Sequence, residues 1–112
     1  MKICEAALVI TRMITKEYAR QLVAACVCGR PDWLPEDDEL IILDEHTIEG
    51  PWGWVFFHTS KKWHETGDIA YAIAGNAPLI VERVTGRLVD TGTAMDIDYY
   101  IENYERTGSP HG

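Results

Sequence analysis

Three cysteines and four histidines are the side chains of this 112-residue chain best suited to act as nucleophile, base or metal ligand. Acyl-transfer chemistry would need a thiolate, a nearby imidazole and an oxyanion stabiliser in one cleft. Cys26-Val27-Cys28 is a C-x-C pair, which has neither the spacing of a redox C-x-x-C nor that of half a zinc knuckle. Both thiols fall at the C-terminal end of a predicted helix, where the dipole raises a thiol pKa rather than lowering it. Cys4 stands near the N-terminus, and the odd count fits reduced, buried thiols. His58 and His64 flank Lys61 and Lys62 and are expected on a strand end and a solvated turn. For a metal, Asp44 with His46 on a strand, or His64 with Glu65 and Asp68, offers too few ligands to make a site. Gly50-Pro51-Trp52-Gly53 lacks the helix and lysine that a phosphate loop requires. The residues therefore imply no catalytic machinery, no metal and no cofactor.

The elements that would carry these side chains can be read from periodicity. Thr15 has the character of an N-cap, with Glu17 in the first turn. Tyr18, Ala19, Leu22, Val23 and Cys26 then recur at helical spacing until Gly29. This predicts an amphipathic helix of about 14 residues. Pro31 to Asp38 is a linker, Leu40 to Ile48 a strand of mixed periodicity, and Gly50 to Gly53 a turn. Trp54 to Thr59 is a second strand, apolar on both faces at its start and therefore central, with its far end expected to open toward solvent. Residues 60–67 form a short helical turn or loop. Gly75-Asn76-Ala77-Pro78 is a turn, and Leu79–Val84 with Arg87–Thr93 a hairpin around Thr85-Gly86. Asp96 is placed to cap a last helix whose stripe is Ile97, Tyr100, Ile101 and Tyr104, ending at Gly108. The order α-β-β-(α)-β-β-α predicts an α+β domain, with a four-stranded antiparallel sheet and both long helices on one face. Residues 1–12, which precede a second methionine, are expected to be an extension, residues 13–107 the single domain and 108–112 a tail.

Composition narrows function. A 46% hydrophobic, 25% charged chain has the balance of a globular domain. Its net charge of −8, with no basic cluster, disfavours nucleic acid and anionic membranes and favours a basic partner. No apolar run approaches the roughly 18 residues that span a bilayer, and no secretory signal is evident, so the cytoplasm is the expected compartment. The charge is segregated: residues 31–60 contain no Lys or Arg but eight carboxylates. That span runs alongside Trp33, Trp52 and Trp54. The segment PWGWVFFHTSKKW, residues 51–63, holds three of the four tryptophans and both phenylalanines. Val55, Phe56 and Phe57 are expected in the core. Trp52, in its turn, is expected to protrude, and Trp63 after it. Acidic side chains around exposed aromatic rings would suit a protein-binding face. The candidate partner contacts are Glu36, Asp37, Asp38, Glu39, Glu45, Glu49, Trp52 and Trp63.

The runs DEHTIEGPWGWVFFHTSKKWHETGD, YAIAGNAPLIVERVTGRLVDTGTA and DIDYYIENYE, with MITKEYARQLV before them, together resemble the immunity protein 35 family, also called the YrhB domain. The likeness covers roughly residues 13–105. It implies a small bacterial protein encoded beside a polymorphic toxin, which it binds and neutralises without enzymatic activity or cofactor. Partners implied for the family include papain-like peptidases or related cysteine enzymes. The resemblance also implies an alternative, a small heat-stable chaperone-like protein that keeps clients from aggregating. Gly75, Asn76, Pro78 and Gly86 match the family as turn-formers. A homo-oligomer stays open beside the toxin complex.

Overall fold

A computed structural model describes residues 13–27, 34–73 and 76–112 of the protein. Helix α1 spans Lys16–Val27. Thr15 starts it as expected: its Oγ1 accepts the Tyr18 N–H at 3.1 Å and its carbonyl accepts the Ala19 N–H at 2.9 Å. Ala19, Val23 and Val27, four residues apart, form its buried stripe. The Gly29 cap and the thiol of Cys28 lie outside the described residues, as do the extension at 1–12, Trp33 and Gly75.

Strands β1 (Leu40–Ile42), β2 (Ile48–Gly50), β3 (Gly53–Phe56) and β4 (His58–Ser60) follow. The strand expected over Leu40–Ile48 is interrupted by a 3-10 turn at Asp44–His46. Pairing shows why. Ile42 faces His58 and Ile48 faces Val55, so the first chain spends six residues where its partner spends three. Three extra residues must leave the ladder, and they do so as the 3-10 turn. An odd insertion also reverses the facing of everything beyond it. Leu40 and Ile42 pack with the α1 side of the protein, whereas Ile48, an even number of residues further on, packs on the other side. The mixed periodicity of this segment is the trace of that reversal.

Short helix α2 (Lys61–Thr66) follows β4, closed by Gly67 in the left-handed region, and a 3-10 turn covers Ile69–Tyr71. Strands β5 (Leu79–Glu82) and β6 (Leu88–Asp90) form the expected hairpin, and helix α3 spans Ile97–Thr107. The four-stranded sheet is antiparallel throughout, in the order β2-β3-β5-β6, and β1-β4 form a second, two-stranded ladder. Gly53 is required where β3 meets β5: its φ is 149° and a Cβ there would lie 2.0 Å from the Val81 carbonyl oxygen.

The class is α+β, as expected, but the two long helices do not share a face. Trp54, Phe56, Leu79 and Val81 point to α1 and close one core with Ala19, Val23 and Val27. Val55 and Ile80 point the other way, where Tyr104 with Ile97 and Ile101 of α3 covers them. Alternation along β3 and β5 gives the reason: both strands are apolar at consecutive positions, so each face needs its own cover. The far end of the central strand does not open to solvent either. Thr59 and Ser60 are buried under the β1 ladder and α2.

Residues 108–112 pack rather than trail. Pro110 is buried and its carbonyl accepts the Asn103 side-chain amide at 3.1 Å, while the His111 ring lies 3.2 Å from the Asp90 carbonyl. No helix among the described residues is long and apolar enough to cross a membrane.

Candidate partner-binding surface

The acidic residues do not form a bare negative face. Glu39 pairs with Lys61 at 3.3 Å, Asp37 with Lys62, Glu45 with His64 at 3.8 Å and Glu49 with Arg83 at 3.1 Å. Arg20 grips Asp44 through two bonds of 2.6 and 2.9 Å. Hydrogen bonds from those cations hold the carboxyls of Asp37 and Asp44 below the usual range, and Asp37 in turn raises the Lys62 ammonium. Each of these partners comes from outside residues 31–60. The charge segregation of the sequence is thus partly offset by chain elements that the fold brings alongside it.

Asp38 leaves the set of candidate contacts. Only 5% exposed, it receives the N–H groups of Glu39 at 2.8 Å and Lys62 at 3.1 Å on Oδ1 and the Ser60 hydroxyl on Oδ2. Burial raises its pKa, but these three donors outweigh burial and keep the carboxyl below its ordinary value. Ser60 Oγ accepts the Trp63 N–H at 3.1 Å, so the Asp38–Ser60 pair together caps α2. Its role is architectural.

The remaining candidates fall into two regions. Glu36, Asp37 and Glu39 line a polar groove of about 430 Å³ with Lys61, Lys62 and Glu65, and α2 also carries Trp63, which is half-buried. His64 of the same helix reaches Glu45. Glu49 and Trp52 lie at the opposite end of the hairpin, in and beside the β2–β3 turn. Trp52 does not protrude. Its indole N–H donates to Glu105 Oε2 at 2.8 Å, its ring meets Tyr104 edge to face at 5.5 Å, and its other contacts fill the space over Gly50. Trp54, flanking the acidic span in sequence, is core; the Arg83 guanidinium stacks 4.4 Å above its ring.

Tyr104 and Glu105 were not candidates on sequence, yet they define the Trp52 site. Tyr104 hydroxyl donates to Glu82 Oε2 at 2.6 Å, and Glu82 also receives Arg87 at 2.9 and 3.2 Å and the Thr85 hydroxyl at 2.8 Å. Arg87 above all, aided by both hydroxyls, outweighs burial and draws the Glu82 pKa down to about 2. Burial, then Glu82, pushes the Tyr104 phenol up to about 12. This network fastens α3 to the β5–β6 hairpin. The only advance sign was the place of Tyr104 in the apolar stripe of its helix; its partners are far away in sequence.

Cys26 and His58 do line one shallow cavity, with Asp90 and Thr91 beside them. Burial lowers the His58 pKa, and its Nδ1 is enclosed without a hydrogen bond. Asp44 and His46, expected on a strand, sit instead in the 3-10 turn, where the His46 ring packs against Phe57 at 6.4 Å. Among the described residues no group of three His, Cys, Asp or Glu side chains is arranged to hold a metal.

The scaffold is an acidic α+β domain with a cored sheet and half-buried aromatics at its turns. Residues 19–106 match the family Immunity protein 35, and the chain belongs to that family. It is also similar to the Uncharacterized protein YrhB of Escherichia coli (strain K12), with 40% identity over 53 residues. That alignment takes in 47% of this chain and 56% of YrhB. No solved structure matches the chain.

Proposed function

We propose that the protein is an immunity protein that binds one cognate bacterial toxin and neutralises it as a stoichiometric complex in the cytoplasm. The family match over residues 19–106 is the observation that carries this. The toxin is a basic protein, a papain-like peptidase or related cysteine enzyme, encoded beside the immunity gene. Contact comes from side chains that the fold leaves accessible: Glu36, Asp37, Glu39 and Glu45 with Trp63 around α2, and Glu49 with Trp52 at the β2–β3 turn. Surface ion pairs are weak, so Glu39, Glu45 and Glu49 can exchange their internal cations for those of a partner at small cost.

Co-expression tests this. The toxin encoded next to the gene should arrest growth alone and lose that effect with this protein, and the two should elute as a 1:1 complex. Tight binding should have an on-rate that falls as salt rises. Glu45→Lys/Glu49→Lys should slow association at least several-fold. Failure of the neighbouring toxin to bind, with suppression of aggregation of unrelated clients instead, would support the chaperone-like role.

A further inference from the structure

The groove beside Trp52 differs electrostatically from the rest of the hairpin surface. Pro51, Trp52, Tyr104, Glu105 and Gly108 line an open groove of about 470 Å³, with walls that are mainly apolar. Two nearby carboxylates are already matched, Glu49 by Arg83 and Glu82 by Arg87. Glu105 makes no ion pair with another described residue. Among the described residues its hydrogen-bond donor is the neutral Trp52 indole, which engages Oε2. Gly108 ends the 11-residue α3 at this same edge, where the negative end of the helix dipole adds to the carboxylate and Arg106 of the last turn, bonded to Asn103, offsets part of it.

An aromatic wall, a carboxylate unmatched among the described residues and a helix C-terminus all favour a cation. They favour one kind in particular. A guanidinium is planar, weakly hydrated and able to stack on a ring while its edge bonds a carboxylate, whereas an ammonium holds its water more tightly. We propose that this groove is the anchor for one exposed arginine side chain of the toxin, stacked on the Trp52–Tyr104 wall and paired with Glu105. The identity of the partner rests on the proposed function; the chemistry of the groove does not. Charge complementarity supports the occupant, since a chain of net charge −8 attracts a basic surface before any contact forms.

The test separates the two. Acetyl-Gly-Arg-Gly-amide is titrated into the isotopically labelled full chain, and the Trp52 indole N–H resonance is followed. The neutral citrulline analogue and the lysine analogue serve as comparisons. The arginine peptide should move the Trp52 signal, the lysine peptide should bind several-fold more weakly, and the citrulline peptide should leave it in place. Glu105→Gln retains an acceptor for the indole but loses the charge, and should weaken the arginine response at least ten-fold. A stationary Trp52 signal, or equal responses to arginine and citrulline, overturns the proposal, and the wild-type titrations give that answer whether or not the variant folds. In co-expression, Glu105→Gln should also reduce protection against the neighbouring toxin. Full protection by Glu105→Gln with no Trp52 response removes the groove and leaves immunity standing. An arginine-specific response with no protection by the wild-type chain does the reverse.

Discussion

Replacing Glu82 by glutamine should weaken the domain at neutral pH and by less than half as much at pH 3. Glu82 has its pKa drawn from 4.5 to about 2 by Arg87, Tyr104 and Thr85. Its folded pKa lies below its unfolded one, so its stabilisation is present above pH 4.5 and is lost as pH falls through about 2. A shift of that size corresponds to an upper bound of about 3.4 kcal/mol at about 1.36 kcal/mol per pKa unit. Arg87 is largely in solvent, and screening brings the figure to roughly 1.5 kcal/mol. By linkage, somewhat more than half of this is gone at pH 3. For a domain of this size roughly 4 °C in Tm accompanies each kcal/mol. Melts of wild type and Glu82→Gln should therefore differ by about 6 °C at pH 7 and by about 2–3 °C at pH 3. Other carboxylates titrate in both proteins and cancel in the difference. A gap that stays constant from pH 7 to pH 3 would refute the argument, because it would show that the carboxylate charge contributes nothing.

Two further substitutions probe the frame. Gly53→Ala forces a Cβ against the Val81 carbonyl at a φ of 149° and should lower stability by about 3 kcal/mol, whereas Gly67→Ala, which meets open space, should lose only about 1 kcal/mol; urea denaturation of both checks the contrast. Asp38→Ala should cost about 2–4 kcal/mol by stripping Ser60 and two backbone N–H groups of their acceptor, while Glu36→Ala stays within about 0.5 kcal/mol of wild type in the same assay.

Local signals in the sequence were sufficient for much of the fold. Thr15 with Ala19 and Val23 marks α1, although Tyr18 and Cys26 of the expected stripe are exposed and Val27 takes the buried place; the Thr85-Gly86 pair marks the β5–β6 hairpin, and the Ile97–Tyr104 spacing marks α3. Each depends on residues within a few positions of one another. The layer count was present too, though easily misjudged: a central strand with Trp54 and Phe56 on one side and Val55 on the other demands a helix on each face. What stayed illegible was long-range. Trp52 and Glu105 are 53 positions apart, and Arg20 and Asp44 are 24 apart. A carboxylate run such as Glu36 to Glu39 looks uniform until the fold buries Asp38 and supplies lysines to two of its neighbours. The acids of the candidate surface could thus be named from the sequence, while their internal partners were hidden.

The 3-10 turn at Asp44–His46 bears on how such a protein can diversify. In an ordinary strand, adding or removing one residue turns every following side chain to the opposite face and empties the core. Here the ladders on either side of the turn are fixed separately, β1 by β4 and β2 by β3, and the three residues of the turn itself are exposed. Lengthening or shortening this turn changes the reach of Asp44, Glu45 and His46 while Ile42 and Ile48 keep their partners. A change of length at this place is taken up on the surface, at the expense of the Arg20–Asp44 pair and the His46–Phe57 contact rather than of either ladder.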